Sequence, residues 1–197
     1  MKREYIYTVL FTFVVSAVLT AILAGANAFF LPQIERNEEL AEKRAILYVL
    51  NVPFADDSEV DTIFGESISE QNIDGLNVFT KYDEDGTAAG YAVPFQGSGL
   101  WGLIRGYMGI AADLSELLGI EFTDQNETPG LGSRIDEEWY KEQFRGIQLV
   151  DGEAVLTDDD GELLIDAITG ATSTSNAVIN IMRNSTASIL SRLEGAL

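Results

Sequence analysis

The chain has 197 residues, 46% of them hydrophobic, and carries a formal net charge of −20 at pH 7. It contains no cysteine and no histidine, which excludes disulfides, thiol nucleophiles, Ser-His-Asp machinery, the usual zinc sites, His-ligated haem, iron–sulfur clusters and a lipid anchor on cysteine. Any redox chemistry must therefore come from an organic cofactor, and the negative charge argues against nucleic acid as a partner.

A long uncharged segment lies near the N-terminus. No charged residue occurs between Tyr5 and Ile34, and about 20 apolar residues suffice to cross a bilayer as a helix. A cleaved signal peptide is the alternative, because Ala26-Asn27-Ala28 resembles a small-residue cleavage site. The apolar run is longer than the roughly 7 to 15 residues of a signal h-region, so we predict a retained transmembrane anchor over residues 1–32.

The charges that flank this segment predict its orientation. Lys2 and Arg3 precede it, whereas Glu35, Glu38 and Glu39 are among the first residues beyond it. Positive flanks stay on the cytoplasmic side of a membrane. We therefore predict a single pass through the cytoplasmic (inner) membrane, with the bulk of the chain on the extracytoplasmic face.

Residues 33–55 are predicted to form a connecting helix. Apolar residues recur there at helical spacing, at Ile34, Ala41, Leu47 and Leu50. Pro53 is expected to end this helix. The remaining residues, 56–197, are predicted to form one soluble domain.

From residue 76 onward the sequence changes to short runs rich in aromatic and β-branched residues. Strands are predicted at 78–82, 89–93, 103–111, 118–123, 147–150 and 162–165, a short helix at 136–144 and a closing helix at 173–194. The acidic clusters at 56–59, 83–85 and 158–162 are interpreted as solvated loops. The prediction is an α+β fold, in which a single N-terminal transmembrane helix precedes one domain with a twisted antiparallel sheet and packed helices.

The segment from Asp166 to Thr172, Asp-Ala-Ile-Thr-Gly-Ala-Thr, is predicted to lead from a strand into the closing helix. A helix start attracts anions, because free N–H groups and the positive end of the dipole point the same way. A threonine hydroxyl placed there can hold a phosphate or be esterified to it. Taken alone, so short a motif favours a simpler alternative, in which Thr172, Ser173 or Thr174 is only an N-cap.

Two Gly-rich segments lie upstream, Gly97-Ser98-Gly99-Leu100-Trp101-Gly102 and Asn126-Glu127-Thr128-Pro129-Gly130-Leu131-Gly132. In the second, glycine permits a backbone to approach a planar ring, and Leu131 offers an apolar side chain to lie against it. A plain β-turn explains this segment equally well. Neither segment has the spacing or the βαβ setting of a dinucleotide fingerprint, so oxidation of NADH is expected to belong to a partner subunit.

The sequence Asp-x-x-Thr-Gly-Ala-Thr resembles the flavinylation motif of the FMN-binding domain family. In that family, an FAD:protein FMN transferase joins FMN through a phosphoester bond to the last threonine, which here is Thr172. The upstream segments match in order and spacing, so the resemblance covers nearly the whole chain. It extends to the C subunit of the Na+-translocating NADH:quinone reductase and the G subunit of the Rnf complex, and implies that residues 56–197 form an FMN-binding domain with covalent FMN on Thr172.

The resemblance also implies further cofactor-binding residues. The motif residues are Asp166, Thr169, Gly170 and Ala171, and those lining the isoalloxazine ring are Glu127, Thr128, Gly130 and Leu131, with polar contacts from Glu127 and Thr128. Trp101 is predicted either to lie beside the flavin or to be a core residue. No residue is predicted to be catalytic by itself, and none to bind a metal.

The implied function is that of a membrane-anchored electron-transfer flavoprotein with covalent FMN. It works with other membrane subunits of an ion-translocating, Na+-transporting NADH:quinone reductase and is not a complete enzyme alone.

The alternative is the G subunit of the Rnf ferredoxin:NAD complex. The short length of the chain favours this alternative, whereas Gly99-Leu100-Trp101 favours the C subunit of the quinone reductase. A non-redox, membrane-anchored surface or pilus-like protein is disfavoured because the sequence lacks a pilin-type processing site. A stand-alone flavinylated carrier is disfavoured by the absence of tandem domains.

Overall fold

The structure is a computed structural model that describes residues 2–83 and 85–195. The described chain contains α1 (Lys2–Val49), α2 (Asp57–Ser67), α3 (Glu138–Glu142), α4 (Thr172–Leu193), a 3-10 helix (Gly132–Asp136), β1 (Ile68–Ile73), β2 (Leu76–Tyr82), β3 (Ala88–Ser98), β4 (Leu103–Ala111), β5 (Leu117–Asp124), β6 (Leu149–Val150) and β7 (Glu153–Ala154). It divides into two compact units between Glu39 and Leu40. The last turns of α1 therefore belong to the second unit.

The first unit consists of the apolar part of α1. The stretch Tyr5–Val49 includes an 18-residue window with a mean hydropathy of 2.4, none of which is buried within the structure. Large apolar side chains such as Phe11, Leu23 and Phe29 are at least 70% exposed. By length and composition this helix can cross a membrane.

The helix α1 ends at a Schellman motif. Asn51 adopts a left-handed backbone conformation, with φ of 53°. Its N–H donates to the Tyr48 carbonyl at 3.2 Å, and the N–H of Val52 donates to the Leu47 carbonyl at 2.9 Å. These two bonds satisfy carbonyls that the helix end leaves free, so Asn51, and not Pro53, ends the helix.

The acidic cluster at residues 56–59 begins a helix, so its interpretation as a loop was wrong. Asp56 is the N-cap of α2, and its side chain accepts a hydrogen bond from the Ser58 backbone N–H at 2.8 Å. Hydrogen bonds from Ser58 lower the pKa of the Asp56 carboxyl. Asp57 and Glu59 lie in the first turn, where negative charge interacts favourably with the helix dipole.

The main sheet has five antiparallel strands in the order β1-β2-β3-β4-β5. Every neighbour in the sheet is also the neighbour in sequence, so the strands form a meander. The predicted α+β fold class, with an antiparallel sheet and packed helices, is confirmed. The strand β1 lies at the edge and leaves four of its six residues exposed, so it lacks the apolar alternation by which a strand is recognised.

The helix α4 covers one face of this sheet. Val178 and Met182 of α4 belong to the same buried cluster as Val93 of β3 and Met108 of β4. None of these four side chains exposes any measurable surface. This packing fixes the start of α4 relative to the loops that follow β3 and β5.

The end of α1 covers the opposite face. Its buried residues Ala45, Ile46, Val49 and Leu50 pack on Phe79, Ala92 and Tyr107 of the sheet. A Cβ atom on Gly109 would lie only 2.2 Å from the Val49 carbonyl oxygen, so the helix backbone rests directly on the strand. The Tyr107 hydroxyl donates a hydrogen bond to the Glu42 carboxylate.

The predicted strand at 162–165 is wrong. Within the described residues that segment makes only an isolated bridge, between Thr157 and Leu163. Leu163 and Leu164 are 44% and 48% exposed, and only Ile165 is buried. A short apolar run does not distinguish a strand from an irregular segment that buries one residue.

Candidate cofactor-binding site

The three motif segments of the sequence meet at the first turn of α4, and Glu127 joins them. One carboxylate oxygen of Glu127, Oε1, accepts hydrogen bonds from the backbone N–H groups of Leu100 and Trp101, at 2.8 and 3.1 Å. The other oxygen, Oε2, accepts one from the Thr174 hydroxyl at 2.6 Å. A single side chain therefore links the loop after β3, the turn after β5 and the helix start.

This carboxylate is buried. Glu127 is 5% exposed and Thr174 2% exposed, whereas carboxylates are rarely found in protein interiors without compensation. Within the described part of the chain its three donors are all uncharged. Three hydrogen bonds to an ionised group compensate much of the cost of removing it from water.

Two motif glycines lie against the Glu127–Thr174 pair. A Cβ atom on Gly99 would lie 2.5 Å from Glu127 Oε1, and one on Gly132 would lie 2.7 Å from Thr174 Oγ1 and 2.9 Å from Glu127 Cβ. At each of these distances a neighbouring side chain would have to shift. A side chain at Gly99 or Gly132 would therefore disturb the Glu127–Thr174 pair.

The turn after β5 is closed by its own backbone. The Thr128 carbonyl accepts from the N–H groups of Leu131 and Ser133, both at 3.1 Å. Gly130 has a φ of +73° and open space around it, so glycine is needed there for backbone conformation. A Cβ atom on Gly170 would lie 3.2 Å from Leu131 Cδ2, so the turn touches the flavinylation-like segment.

No described side chain caps the start of α4. The N-cap residue is Ala171, and Thr172 is the exposed first residue of the helix. The Thr174 hydroxyl donates to Glu127, and the Ser175 hydroxyl accepts from the N–H of Ile168 at 3.0 Å. The simple N-cap alternative is therefore wrong, and the free N–H groups of the first turn remain available to an anion.

The segment before Thr172 forms an exposed turn held by one buried residue. Ile168 is fully buried and its carbonyl accepts from the Ala171 N–H at 2.9 Å. The side chains of Asp166 and Thr169 are exposed, and Gly170 has a φ of +81°. The backbone N–H of Asp166 donates to the Gln143 Oε1 at 2.7 Å.

Trp101 is a surface residue. It is 69% exposed, beside Leu100 at 57%, so the alternative that Trp101 belongs to the core is wrong. Its backbone is nevertheless fixed by Glu127. Exposed apolar side chains on a fixed loop beside the helix start are suited to contact a planar ring.

Two participants in this site were missed by sequence reasoning. Thr174 was considered only as a cap, although its hydroxyl holds Glu127, 47 residues away. Gln143 lies on the segment after α3 and accepts from Asp166. Neither contact has a signal in a single sequence, because both depend on how distant segments pack.

The comparisons with known proteins agree with this arrangement. The chain matches the model of the FMN-binding domain family over residues 99–187. It is 30% identical over 183 residues to the G subunit of the ion-translocating oxidoreductase complex of Methanosarcina acetivorans, with 93% of each chain covered. The chain belongs to the FMN-binding domain family. The resemblance inferred from the three motifs is thereby confirmed.

Further relatives of this FMN-binding protein carry the name of the C subunit of the Na(+)-translocating NADH-quinone reductase. The one from Pasteurella multocida is 28% identical over 224 residues, which covers 88% of this chain and 86% of the relative. The crystal structure of the Shewanella oneidensis protein covers 76% of this chain and 95% of its own, with 21% identity and a TM-score of 0.62. The crystal structure of the Parabacteroides distasonis protein covers 81% of this chain and 96% of its own, with 24% identity and a TM-score of 0.65. Both crystal structures support the fold described above for this chain.

Proposed function

We propose that this protein is the FMN-carrying electron-transfer subunit of an ion-translocating oxidoreductase complex, and that FMN is attached covalently through its phosphate to Thr172. The observation that carries the proposal is the position of Thr172. It is exposed at the first position of a 22-residue helix whose first turn lacks a side-chain cap. A phosphate there meets free N–H groups and the positive end of the dipole.

The attachment requires FAD and the partner FAD:protein FMN transferase. The Thr172 oxygen forms a new bond to the phosphorus of the FMN half, the phosphoanhydride bond of FAD breaks, and AMP and the hydroxyl proton leave. Exposure of Thr172 and of the preceding turn from Asp166 to Ala171 supports access by the transferase, because little of the motif is covered by the domain.

When bound, FMN supplies the redox chemistry that the side chains of this chain lack. The first turn of α4 holds the phosphate, now a diester with a single negative charge. Leu131 and Trp101, which are 44% and 69% exposed, offer apolar surface that shields the ring from water. Thr128 and Gly130 shape the turn that presents Leu131. The chain has no means of oxidising NADH itself, so partner subunits deliver and remove the electrons.

We further propose that the apolar part of α1 anchors the protein in the cytoplasmic membrane, with the domain on the extracytoplasmic face. The uncovered apolar surface of α1 supports the anchor. The orientation follows from the basic residues that precede the helix. A reporter fused to the C-terminus should be active only outside the cytoplasm, and activity confined to the cytoplasm would contradict this topology.

The type of complex is proposed to be the Na+-translocating NADH:quinone reductase, with this chain as its C subunit. The alternative, the G subunit of an Rnf complex, is supported by the Methanosarcina relative, which matches over 93% of both chains. The electron donor discriminates between them. In membranes that hold the complete complex, NADH should reduce the attached flavin rapidly if the chain belongs to the quinone reductase, and reduced ferredoxin should do so if it belongs to an Rnf complex.

Covalent attachment is tested by co-expression with the transferase and denaturation of the purified protein. The wild-type band should retain flavin fluorescence and the added mass of the FMN group, and Thr172→Ala should lose both. Ser173→Ala is the matched control, because Ser173 is the adjacent exposed hydroxyl, and it should keep the flavin. Flavin that survives denaturation in Thr172→Ala would show that the attachment residue is a different one.

A further inference from the structure

The side chain of Glu127 has little surface with which to contact a cofactor. It is 5% exposed, and its two oxygens already accept three hydrogen bonds, from Leu100, Trp101 and Thr174. A carboxylate has about four acceptor positions and no donor when ionised. Most of its capacity is therefore used within the protein, before any ring is present.

The backbone around Glu127 is built to enclose it. Gly99 lies against Oε1, and Gly132 lies against the Glu127 side chain and the Thr174 hydroxyl. Gly132 follows the residues that are predicted to line the flavin, and Gly99 belongs to the segment that carries Trp101. Because neither glycine has a side chain, the loop after β3 and the turn after β5 can both lie close to the Glu127 carboxylate. The carboxylate therefore sets the distance between that loop and that turn.

The three hydrogen bonds depend on one another. If the Thr174 bond is lost, the Glu127 carboxylate is left partly unsatisfied in a buried position, which favours opening of the site to water. The bonds to Leu100 and Trp101 are then weakened too, because they end on the same group. Loss of the Thr174 hydroxyl at the start of α4 therefore affects the loop after β3 through Glu127, which hydrogen-bonds to both.

We propose that Glu127 is a positioning residue, which assembles the loop after β3, the turn after β5 and the start of α4 into the flavin site before FMN is attached. This differs from the role implied by family resemblance, a polar contact with the ring. The inference rests on the proposed function, because the site that Glu127 assembles is the proposed FMN site.

The test measures the apo-protein and the attachment reaction separately. Hydrogen exchange of the full-length apo-protein is followed by mass spectrometry on peptides that cover residues 97–102. Thr174→Val should speed exchange of the Leu100 and Trp101 amides by about tenfold to a hundredfold, the range expected for one lost hydrogen bond to a charged group. It should also slow transferase-dependent attachment to Thr172 and weaken the visible circular dichroism of the flavin that is attached.

Two further variants make this result specific. Thr174→Ser keeps the hydroxyl and should restore exchange, attachment and circular dichroism to wild-type values. Thr186→Val is the matched control, because Thr186 is a fully buried threonine of the same helix whose hydroxyl donates to backbone carbonyls of α4. It should leave exchange in residues 97–102 unchanged.

Glu127→Leu should act like Thr174→Val, because leucine accepts none of the three hydrogen bonds, and if it fails to fold, the comparison of valine with serine at position 174 decides. Wild-type exchange and attachment in Thr174→Val would overturn the positioning role while the flavin function stands. A wild-type chain that takes no flavin from an active transferase would instead overturn the proposed function, and with it this inference.

Discussion

Gly99 has restrictive surroundings, because a Cβ atom there would meet Glu127 Oε1 at 2.5 Å and Ile104 Cδ1 at 2.8 Å. We predict that Gly99→Ala lowers the free energy of unfolding by about 1 to 3 kcal/mol, the usual cost of overpacking. Gly102→Ala is the control in the same loop, since its Cβ would have nothing nearer than 3.7 Å. Denaturant unfolding measures both, and equal stability of the two variants would contradict the packing described around Glu127.

The residues of the site were predictable only in part. The flavinylation-like motif predicts Thr172 and its neighbours as site residues, because those residues are consecutive and their order carries the information. The partners of Glu127 were not predictable, since Leu100 and Thr174 lie 27 and 47 residues away from it. Their meeting depends on sheet packing that places the two loops beside α4.

The end of α1 is a structural element of the domain as well as the end of an apolar helix. Ala45, Ile46, Val49 and Leu50 are each at most 2% exposed, and burial of a large apolar side chain contributes about 1.5 to 3 kcal/mol. We predict that a chain truncated to begin at residue 40 folds as a soluble domain. One that begins at residue 56, the predicted domain boundary, should be unfolded or aggregated.

Circular dichroism and gel filtration distinguish these two truncations. Both lack the apolar part of α1, so the comparison isolates the turns that cover the sheet. If the chain that begins at residue 56 unfolds cooperatively and is as stable as the chain that begins at residue 40, the sheet does not need the end of α1 packed on it.

A hydrogen bond from the Tyr107 hydroxyl to Glu42 helps to link this end of α1 to the sheet. Burial and the Glu42 carboxylate both raise the pKa of Tyr107, so the hydroxyl stays a donor well above neutral pH. Tyr107→Phe should lower the free energy of unfolding by about 1 kcal/mol, measured by denaturant titration. Tyr91→Phe changes an equally buried tyrosine whose hydroxyl donates to no described residue, and it should change stability less.

The elements were predicted best where one pattern dominated. The strand β4 covers the predicted residues 103–111, a run rich in apolar and aromatic residues that follows Gly102. The strand β1 and the helix α2 were missed because both are polar. An edge strand needs no apolar face, and the acidic start of α2 has the same composition as a solvated loop.

The whole molecule carries 32 acidic and 12 basic residues, so its folded state is subject to self-repulsion. Salt reduces this repulsion, since the screening length falls from about 30 Å at 0.01 M to about 3 Å at 1 M. We predict that the melting temperature rises over this range of NaCl and equally in KCl. A flat or falling curve would contradict the prediction, and a rise with Na+ alone would indicate ion binding in place of screening.

The enclosure of Glu127 has a consequence for how this protein can vary in evolution. Gly99 and Gly132 both lie against the Glu127 side chain, and Thr174 is held to a hydroxyl because the carboxylate needs a donor. A descendant that replaces Glu127 would free position 174 from the need for a hydroxyl, whereas a side chain at Gly99 would still meet Ile104 and one at Gly132 would still meet the residue at position 174. Glu127 and Thr174 should therefore be inherited or lost as a pair, with both glycines kept, even where Thr172 is retained.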